Sequence, residues 1–151
     1  MPDITVVAVG AHVKTDDASY LGLVDEVLSD MIEMQSRHPR LKFAWKTQQP
    51  GGCTNEILSP KDATVAAQTA NHTRGIYNYD TYYHRDLLLL DRLNSAKIPY
   101  LDIRMLYSRS DAHVSSMKGR KPGDCIHLCS PGPLGVIGRL FHQLLLNEEW
   151  S

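Results

Sequence analysis

The chain has 151 residues, of which 42% are hydrophobic and 22% charged. This length and composition indicate one globular domain with a single core and argue against a disordered chain. The net charge is −1, which gives no reason to expect nucleic acid or anionic lipid as a partner.

Three further features of the sequence limit its class. The longest apolar runs, Val6–Val9 and Leu87–Leu90, have four residues each, far short of the roughly 20 residues that a membrane-spanning helix requires. The N-terminus also lacks the basic start and apolar stretch of a signal peptide. Three cysteines permit at most one internal disulfide and leave one sulfur over.

The first half of the chain predicts two strands that flank a helix. Ile4–Val9 is rich in β-branched residues, and such a continuous run is typical of a strand buried on both faces of a parallel sheet. A helical period follows from Ala18 to about His38, and Pro39 ends it. Leu41–Lys46 is the second predicted strand, and Pro50–Cys53 is a turn at its carboxyl end.

The second half predicts three helices and a third strand. Ser59 begins a helix that runs to about Thr73, since serine is a good N-cap and Pro60 fits the first helical position. Asp80–Ala96 is predicted to form a further helix, and Leu134–Asn147 the last helix. Ile98–Leu106 is predicted to form the third strand, which lies in the core near residues 99–106. This alternation predicts an α/β fold with a parallel sheet, with helices on both faces and ligand sites at the carboxyl ends of the strands.

The densest chemistry lies in Asp124–Cys129. Asp124 and His127 are three residues apart, so on a helical turn the carboxylate can orient the imidazole as a general base. The structural alternative is a capping aspartate beside a half-buried histidine. A zinc site is a third alternative, with Asp124, Cys125, His127 and Cys129 as ligands, although Cys-x-x-x-Cys lacks the spacing of a zinc knuckle.

Three other segments carry weaker signals. Arg109, Asp111 and His113 alternate, so they lie on one side of an extended loop, although a solvated loop with a local ion pair explains them as well. His12 follows Gly10 at the end of the first predicted strand. The sequence contains no Gly-x-Ser-x-Gly motif, no phosphate-binding glycine loop and no basic-aromatic stripe.

The stretch from Asp124 to Pro133 reads DCIHLCSPGP and precedes the last helix. It resembles the closing Asp-Cys-x-His-x-Cys-x-Pro-Gly pattern of the PC-esterase family in the SGNH/GDSL hydrolase superfamily. That family includes the trichome-birefringence-like polysaccharide O-acetyltransferases of plants. Three further stretches resemble other family segments, so that the likeness covers nearly the whole chain: residues 2–12, residues 45–51 and residues 101–113.

The resemblance implies a three-layer α/β sandwich and a carbohydrate O-acetyl esterase or O-acetyltransferase. It assigns His127 as general base and Asp124 as its orienting partner, without a metal ion or organic cofactor. Gly10 becomes a candidate oxyanion donor. The implied partner is an acetylated polysaccharide or other carbohydrate. The candidate substrate-contacting residues are His12, Arg109, Asp111 and His113.

Two departures from the family pattern shape the expectation. The family's nucleophile is the serine of a Gly-Asp-Ser motif on an earlier strand, and the 151 residues contain no such motif. Val9 stands where relatives carry an asparagine. We therefore expect residues 1–151 to form one domain that is the C-terminal part of a longer esterase, incomplete at its N-terminus. The alternative is a non-catalytic carbohydrate-binding or interaction remnant of such an enzyme.

The resemblance also bears on the cysteines and the compartment. In relatives, a cysteine matching Cys53 bonds the first cysteine of the closing motif, so Cys53 is expected to pair with Cys125, or less favourably with Cys129. Three reduced thiols are the alternative. Relatives act in the secretory pathway, which implies a Golgi or extracellular location if this chain belongs to a longer member.

Overall fold

The computed structural model describes residues 3–10, 13, 15–49, 79–108, 127–128 and 132–147. Three strands form one parallel sheet in the order β1-β2-β3. They are β1 (Asp3–Val7), β2 (Leu41–Lys46) and β3 (Tyr100–Leu101). The helices are α1 (Asp17–Arg37), α2 (Tyr79–Ala96) and α3 (Gly132–Asn147), and a 3₁₀ helix covers Arg104–Ser108. The predicted α/β class with a parallel sheet is confirmed.

The sheet register determines which side chains share a face. Val7 lies beside Trp45, which lies beside Tyr100, whereas Lys46 lies beside Leu101. Because successive residues of a strand point to opposite faces, Trp45 and Tyr100 occupy one face and Leu101 the other.

The first face is covered by α1 and α2. Their buried side chains pack with those of β2 in one cluster, the first cluster, consisting of Tyr20, Val24, Leu28, Met31, Phe43, Trp45, Leu89, Leu93 and Ile98. Both crossover helices lie on this face because the strands follow one another in one direction across the sheet, and crossovers share one hand.

The opposite face carries α3. Leu101, Ile103, Leu106 and Leu128 form a second, smaller cluster there, against which α3 places partly buried apolar side chains. The described residues therefore have helices on both sides of the sheet, as predicted. Within these residues no helix combines the length and apolar composition needed to span a bilayer.

The helix ends show why the predicted bounds were nearly right. Asp16 caps α1, since its carboxylate accepts hydrogen bonds from the Ser19 N–H (2.9 Å) and hydroxyl (2.8 Å). At the end of α2, Ile98 N–H donates to Leu93 O and Lys97 N–H to Asn94 O. This is the Schellman arrangement, with Lys97 at φ 53° in the position that glycine usually takes.

Two strand predictions require correction. The sequence predicts that Ile4–Val9 is buried on both faces, but β1 lies at the edge of the described sheet and Val6 is 40% exposed. β3 is much shorter than Ile98–Leu106, because the chain leaves the sheet at Asp102 and turns into the 3₁₀ helix. The helix predicted for Ser59–Thr73 and the Pro50–Cys53 turn lie outside the described residues.

Candidate functional site

The three strands are parallel, so their carboxyl ends lie along one edge of the sheet. The segments that leave this edge are residues 8–10 after β1, residues 47–49 after β2 and residues 102–104 after β3. Open α/β sheets bind their ligands at this edge, because loops and helix termini meet there. We therefore define the candidate site by the side chains that hold these segments.

Gln48 joins the segment after β2 to the segment after β1. Its side-chain Nε2 donates a hydrogen bond to the carbonyl oxygen of Val9. A Cβ atom added to Gly10 would lie 2.6 Å from the Gln48 Cδ atom, closer than nonbonded atoms allow. A side chain at position 10 would therefore displace the Gln48 amide from its hydrogen bond to Val9.

Tyr20, on the first turn of α1, contacts the same carbonyl group. Its hydroxyl donates to Val9 O at 3.2 Å. Burial is the main cause that raises the pKa of Tyr20 to about 12, and the nearby Asp86 carboxylate adds to it. The hydroxyl therefore keeps its proton, and remains a donor, throughout the neutral pH range.

Arg85 holds the loop between β1 and α1 from the side of α2. Its guanidinium donates to the carboxylate of Asp17 (Nε to Oδ1, 3.0 Å) and to the carbonyl oxygens of Val13 (3.1 Å) and Thr15. The Arg85 side chain is only 3% exposed. It also stacks over the Tyr20 ring, 4.7 Å from the ring centroid, which adds a cation–π contact.

Asp86, the next residue of α2, holds the segment after β2. The Gln48 N–H lies 3.1 Å from both of its carboxylate oxygens, and the Asp86 side chain is fully buried. Burial raises the pKa of Asp86 to about 7, although the Gln48 N–H, Arg104 and Lys46 all oppose the shift. Burial also lowers the pKa of Lys46, against the attraction of Asp86.

The segment after β3 is fixed by short hydrogen bonds. The Thr47 hydroxyl oxygen accepts from Ile103 N–H at 2.9 Å and donates to Leu101 O at 3.4 Å. Asp102 accepts from the backbone N–H of Arg104 (3.0 Å) and from its guanidinium through both carboxylate oxygens (2.9 and 2.7 Å). Burial by itself would raise the pKa of Asp102, but these bonds outweigh it and lower the pKa.

The closing motif reaches this edge through Leu128. Leu128 is 8% exposed and packs with Leu101, Ile103 and Leu106, at and just beyond the end of β3. His127, its neighbour in the chain, is exposed. The hydrophobic contact of Leu128 thus holds the backbone of the exposed His127 close to the carboxyl end of β3.

The described residues include two of the predicted site residues, Gly10 and His127. Gly10 lies at the carboxyl edge as predicted, and Leu128 brings the His127 backbone to the end of β3. The other predicted residues lie outside the described residues: His12, Cys53, Arg109, Asp111, His113, Asp124, Cys125 and Cys129. The Asp124–His127 hydrogen bond and the Cys53–Cys125 disulfide therefore remain predictions.

A metal centre receives no support from the described residues, in which no group of three potential ligands comes together. The proposed zinc ligands other than His127 lie outside this part of the chain, so the zinc hypothesis remains open.

Sequence reasoning missed the residues that organise the edge, namely Tyr20, Gln48, Arg85 and Asp86. One signal was available, since Arg85-Asp86 is a charged pair directly before the Leu87–Leu90 run in a helix that must bury one face. Buried charges require partners, so the pair could have been marked as a structural or functional centre. Tyr20 gave no such signal, because its position on the apolar face of α1 explains it fully.

Comparison with known proteins gives no further guide. No family model, no curated protein and no solved structure matches this chain.

Proposed function

We propose that this chain contributes the general base and its orienting carboxylate to a carbohydrate O-acyl esterase or O-acetyltransferase of the SGNH type. The observation that carries the proposal is the packing of Leu128 near the end of β3, which brings the exposed His127 to the edge where Gly10 also lies. The resemblance of residues 124–133 to the PC-esterase closing motif and the parallel α/β sheet support it further.

The mechanism is acyl transfer through a covalent intermediate. A serine hydroxyl from outside the 151 residues attacks the acyl carbon, and its proton passes to the imidazole of His127, which Asp124 orients. The N–H of Gly10 donates to the oxygen of the tetrahedral intermediate. The alkoxide leaves with the proton from His127. Water or a sugar hydroxyl then attacks the acyl-serine, with His127 again accepting the proton.

The substrate class follows from the family resemblance. An acetylated polysaccharide would lie along the carboxyl edge of the sheet, where His12, Arg109, Asp111 and His113 are the proposed contacts. The proposed architecture is accordingly the three-layer SGNH sandwich, of which the described sheet contributes three strands.

A second candidate function is non-catalytic carbohydrate binding. The observation that favours it is the absence of a Gly-Asp-Ser motif from the 151-residue sequence. Such a chain would retain the sugar contacts without the nucleophile.

Methanol, supplied as a substitute for the serine hydroxyl, provides a test that the present chain can undergo. The purified 151-residue chain is incubated with 4-nitrophenyl acetate and methanol, and methyl acetate is measured. If His127 is a general base, it accelerates attack by the methanol oxygen and accepts its proton. We expect methyl acetate formation about 10- to 100-fold faster than in His127→Ala, which lies at or below the lower end of general-base effects because methanol is not positioned.

His142→Ala is the matched control, since His142 is an exposed histidine on α3, and it should leave the rate unchanged. Equal rates in the wild-type chain and His127→Ala would overturn the catalytic proposal. Binding of acetylated xylan without any transfer would then favour the carbohydrate-binding alternative.

Hydrolysis without methanol should be very weak, because the serine nucleophile is lacking and only direct attack by water, with His127 as its base, remains. The assay is acetate release from 4-nitrophenyl acetate and acetylated xylan. A robust rate that disappears in His127→Ala would show that the chain contains its own nucleophile, and Ser130, beside the motif in sequence, would be the first candidate.

A further inference from the structure

The contacts of Gln48 and Tyr20 meet at one peptide group. The carbonyl oxygen of Val9 and the N–H of Gly10 belong to the same amide, and this carbonyl oxygen accepts two hydrogen bonds. One comes from Gln48 Nε2 and the other from the Tyr20 hydroxyl at 3.2 Å. Both lone pairs of the carbonyl oxygen can therefore be engaged by protein donors, which is the full capacity of this acceptor.

Two donors on a carbonyl change the N–H at the other end of the amide. The peptide bond is a resonance hybrid, in which the form with negative oxygen carries positive charge on the nitrogen. Hydrogen bonds to the oxygen stabilise that form, so the N–H becomes a stronger donor. In chains of hydrogen bonds this cooperative effect is about 10–30% per bond.

The same contacts fix the direction of the N–H. Gln48 is buried and its own N–H is held by Asp86, while Arg85 stacks on the ring of the buried Tyr20. Both donors to Val9 are thus supported from α2. Gly10 lies directly beside the Gln48 amide, since an added Cβ atom would come within 2.6 Å of Gln48 Cδ.

Among the described residues, no acceptor takes a hydrogen bond from the Gly10 N–H. Gly10 is nevertheless buried. A buried N–H without an acceptor costs free energy comparable to a lost hydrogen bond. An oxygen atom from a ligand at the carboxyl edge would satisfy it.

We propose that Tyr20 and Gln48 are positioning residues that aim and strengthen the Gly10 N–H as a donor to an anionic oxygen at this edge. The ligand class is a carboxylate or the oxyanion of a reacting acyl group. The second of these rests on the proposed function, whereas binding of a carboxylate does not. Gln48 thereby contributes to the site through the backbone rather than through contact with the substrate.

The sequence permits a specific spectroscopic test. Val9-Gly10 is the only Val-Gly pair in the chain, so labelling valine with ¹³C at the carbonyl and glycine with ¹⁵N gives a single peak in an NMR experiment that correlates the two nuclei through their peptide bond. Sodium acetate is the probe, and sodium chloride at equal ionic strength is the control. We expect acetate, but not chloride, to move the Gly10 proton resonance downfield in a saturable manner.

The variants Tyr20→Phe and Gln48→Met each remove one donor and keep side-chain size. Each should shift the Val9 carbonyl resonance upfield and weaken acetate binding by a factor of about 1.3 to 4.5, which corresponds to 10–30% of a charge-assisted hydrogen bond per donor. Tyr100→Phe removes a tyrosine hydroxyl beside the first cluster and should change neither value. If Gln48→Met fails to fold, Tyr20→Phe still tests the idea, since it deletes a single oxygen atom.

Two results would overturn the proposal: a Gly10 resonance that acetate does not move in the folded wild-type chain, or unchanged acetate affinity in Tyr20→Phe. The methanol assay separates this proposal from the proposed function. If acetate binding depends on Tyr20 but acyl transfer does not depend on His127, the positioning roles of Tyr20 and Gln48 are supported. The same result would contradict the proposed esterase or acetyltransferase function. Where transfer occurs, Tyr20→Phe should lower kcat and leave KM unchanged, because the oxyanion forms only during reaction.

Discussion

The two faces of the sheet are covered to different extents. On the first face, α1 and α2 bury aromatic and aliphatic side chains around Trp45 in a cluster of nine buried residues. On the second face, only four buried residues pack against α3, namely Leu101, Ile103, Leu106 and Leu128. The apolar side chains that α3 contributes are only partly buried. Leu146 of α3 is 67% exposed. The first face therefore supplies most of the burial that stabilises the described fold.

The residues at the carboxyl edge of the sheet are also divided between the two faces. His127 reaches the site through the second cluster, whereas the first face contributes Tyr20, Arg85 and Asp86, which contact backbone groups rather than solvent. The more extensively buried face thus holds the peptide groups of the edge, and the less buried face holds the backbone of His127. Local stability commonly varies within a domain in this manner.

Leucine truncations on the two faces test this division most strongly. Leu93→Ala, in the first cluster, should lower the free energy of unfolding by about 4 kcal/mol, and Leu128→Ala by about 2 kcal/mol, because a smaller cluster collapses more easily around a lost side chain. Urea denaturation measures both. Leu128→Ala should nevertheless cause the larger loss of His127-dependent methanol acetylation, measured where both variants are folded. Equal effects of the two variants on both measurements would contradict the comparison.

Arg85→Met should have the next largest effect. It removes the Arg85 hydrogen bonds to the carbonyl oxygens of Val13 and Thr15 and the ion pair with Asp17, so we expect a loss of about 3 kcal/mol by thermal or urea unfolding. Arg92→Met is the matched control on the same helix. In its ion pair with Asp25 (2.8 Å), Arg92 is 33% and Asp25 56% exposed, and loss of this pair should cost less than about 1 kcal/mol. Similar losses in both variants would show that Arg85 has no special role.

Asp86 makes the stability of the first face depend on pH. Its folded-state pKa of about 7 lies above its ordinary value of 3.8, so the folded state binds the proton more tightly than the unfolded state. Its contribution is most favourable below pH 3.8 and is lost as the pH rises through 7. Asp86→Asn should therefore stabilise the protein by about 1–2 kcal/mol at pH 8, with a gain that shrinks towards pH 4.

The difference between wild type and Asp86→Asn, measured by urea denaturation at each pH, isolates this carboxyl group from the others. A variant that is destabilised equally at pH 5 and pH 8 would show that the Gln48 hydrogen bond dominates over the cost of burying the charge.

The smallest expected effect is a gain of stability at the end of α2. Lys97 has φ 53°, a conformation that glycine adopts without steric cost. Lys97→Gly should raise the free energy of unfolding by about 0.5–1 kcal/mol, measured by thermal unfolding. Lys97→Ala keeps the Cβ atom and should give no such gain.

The sequence predicted the helices better than the strands. Spacing of apolar residues along the chain locates α1, α2 and α3, because a helix buries one stripe of its own surface. The burial of a strand depends instead on which strands flank it. The β-branched run at β1 lies at the edge of the described sheet, while Leu41–Lys46, with two lysines, forms the central strand.

Only two of the described residues of the candidate site could be predicted from the sequence. Gly10 and His127 come from strand position and from the closing motif. Gln48 pairs with Asp86 across 38 residues, and Arg85 reaches Val13 across 72. No local pattern reveals such pairs, since each residue type has an adequate local explanation and only the fold brings the partners together.

The long-range hydrogen bonds of Arg85 determine when this part of the molecule can form during synthesis on the ribosome. β1, α1 and β2 leave the ribosome well before α2, and the bonds of Arg85 to Asp17, Val13 and Thr15 close chain separations of 68, 72 and 70 residues. The nascent chain can therefore assemble its first two strands and α1 while the loop between β1 and α1 still lacks these bonds. The loop is completed only when α2 docks, so one edge of the candidate site matures late, after the elements that flank it in sequence.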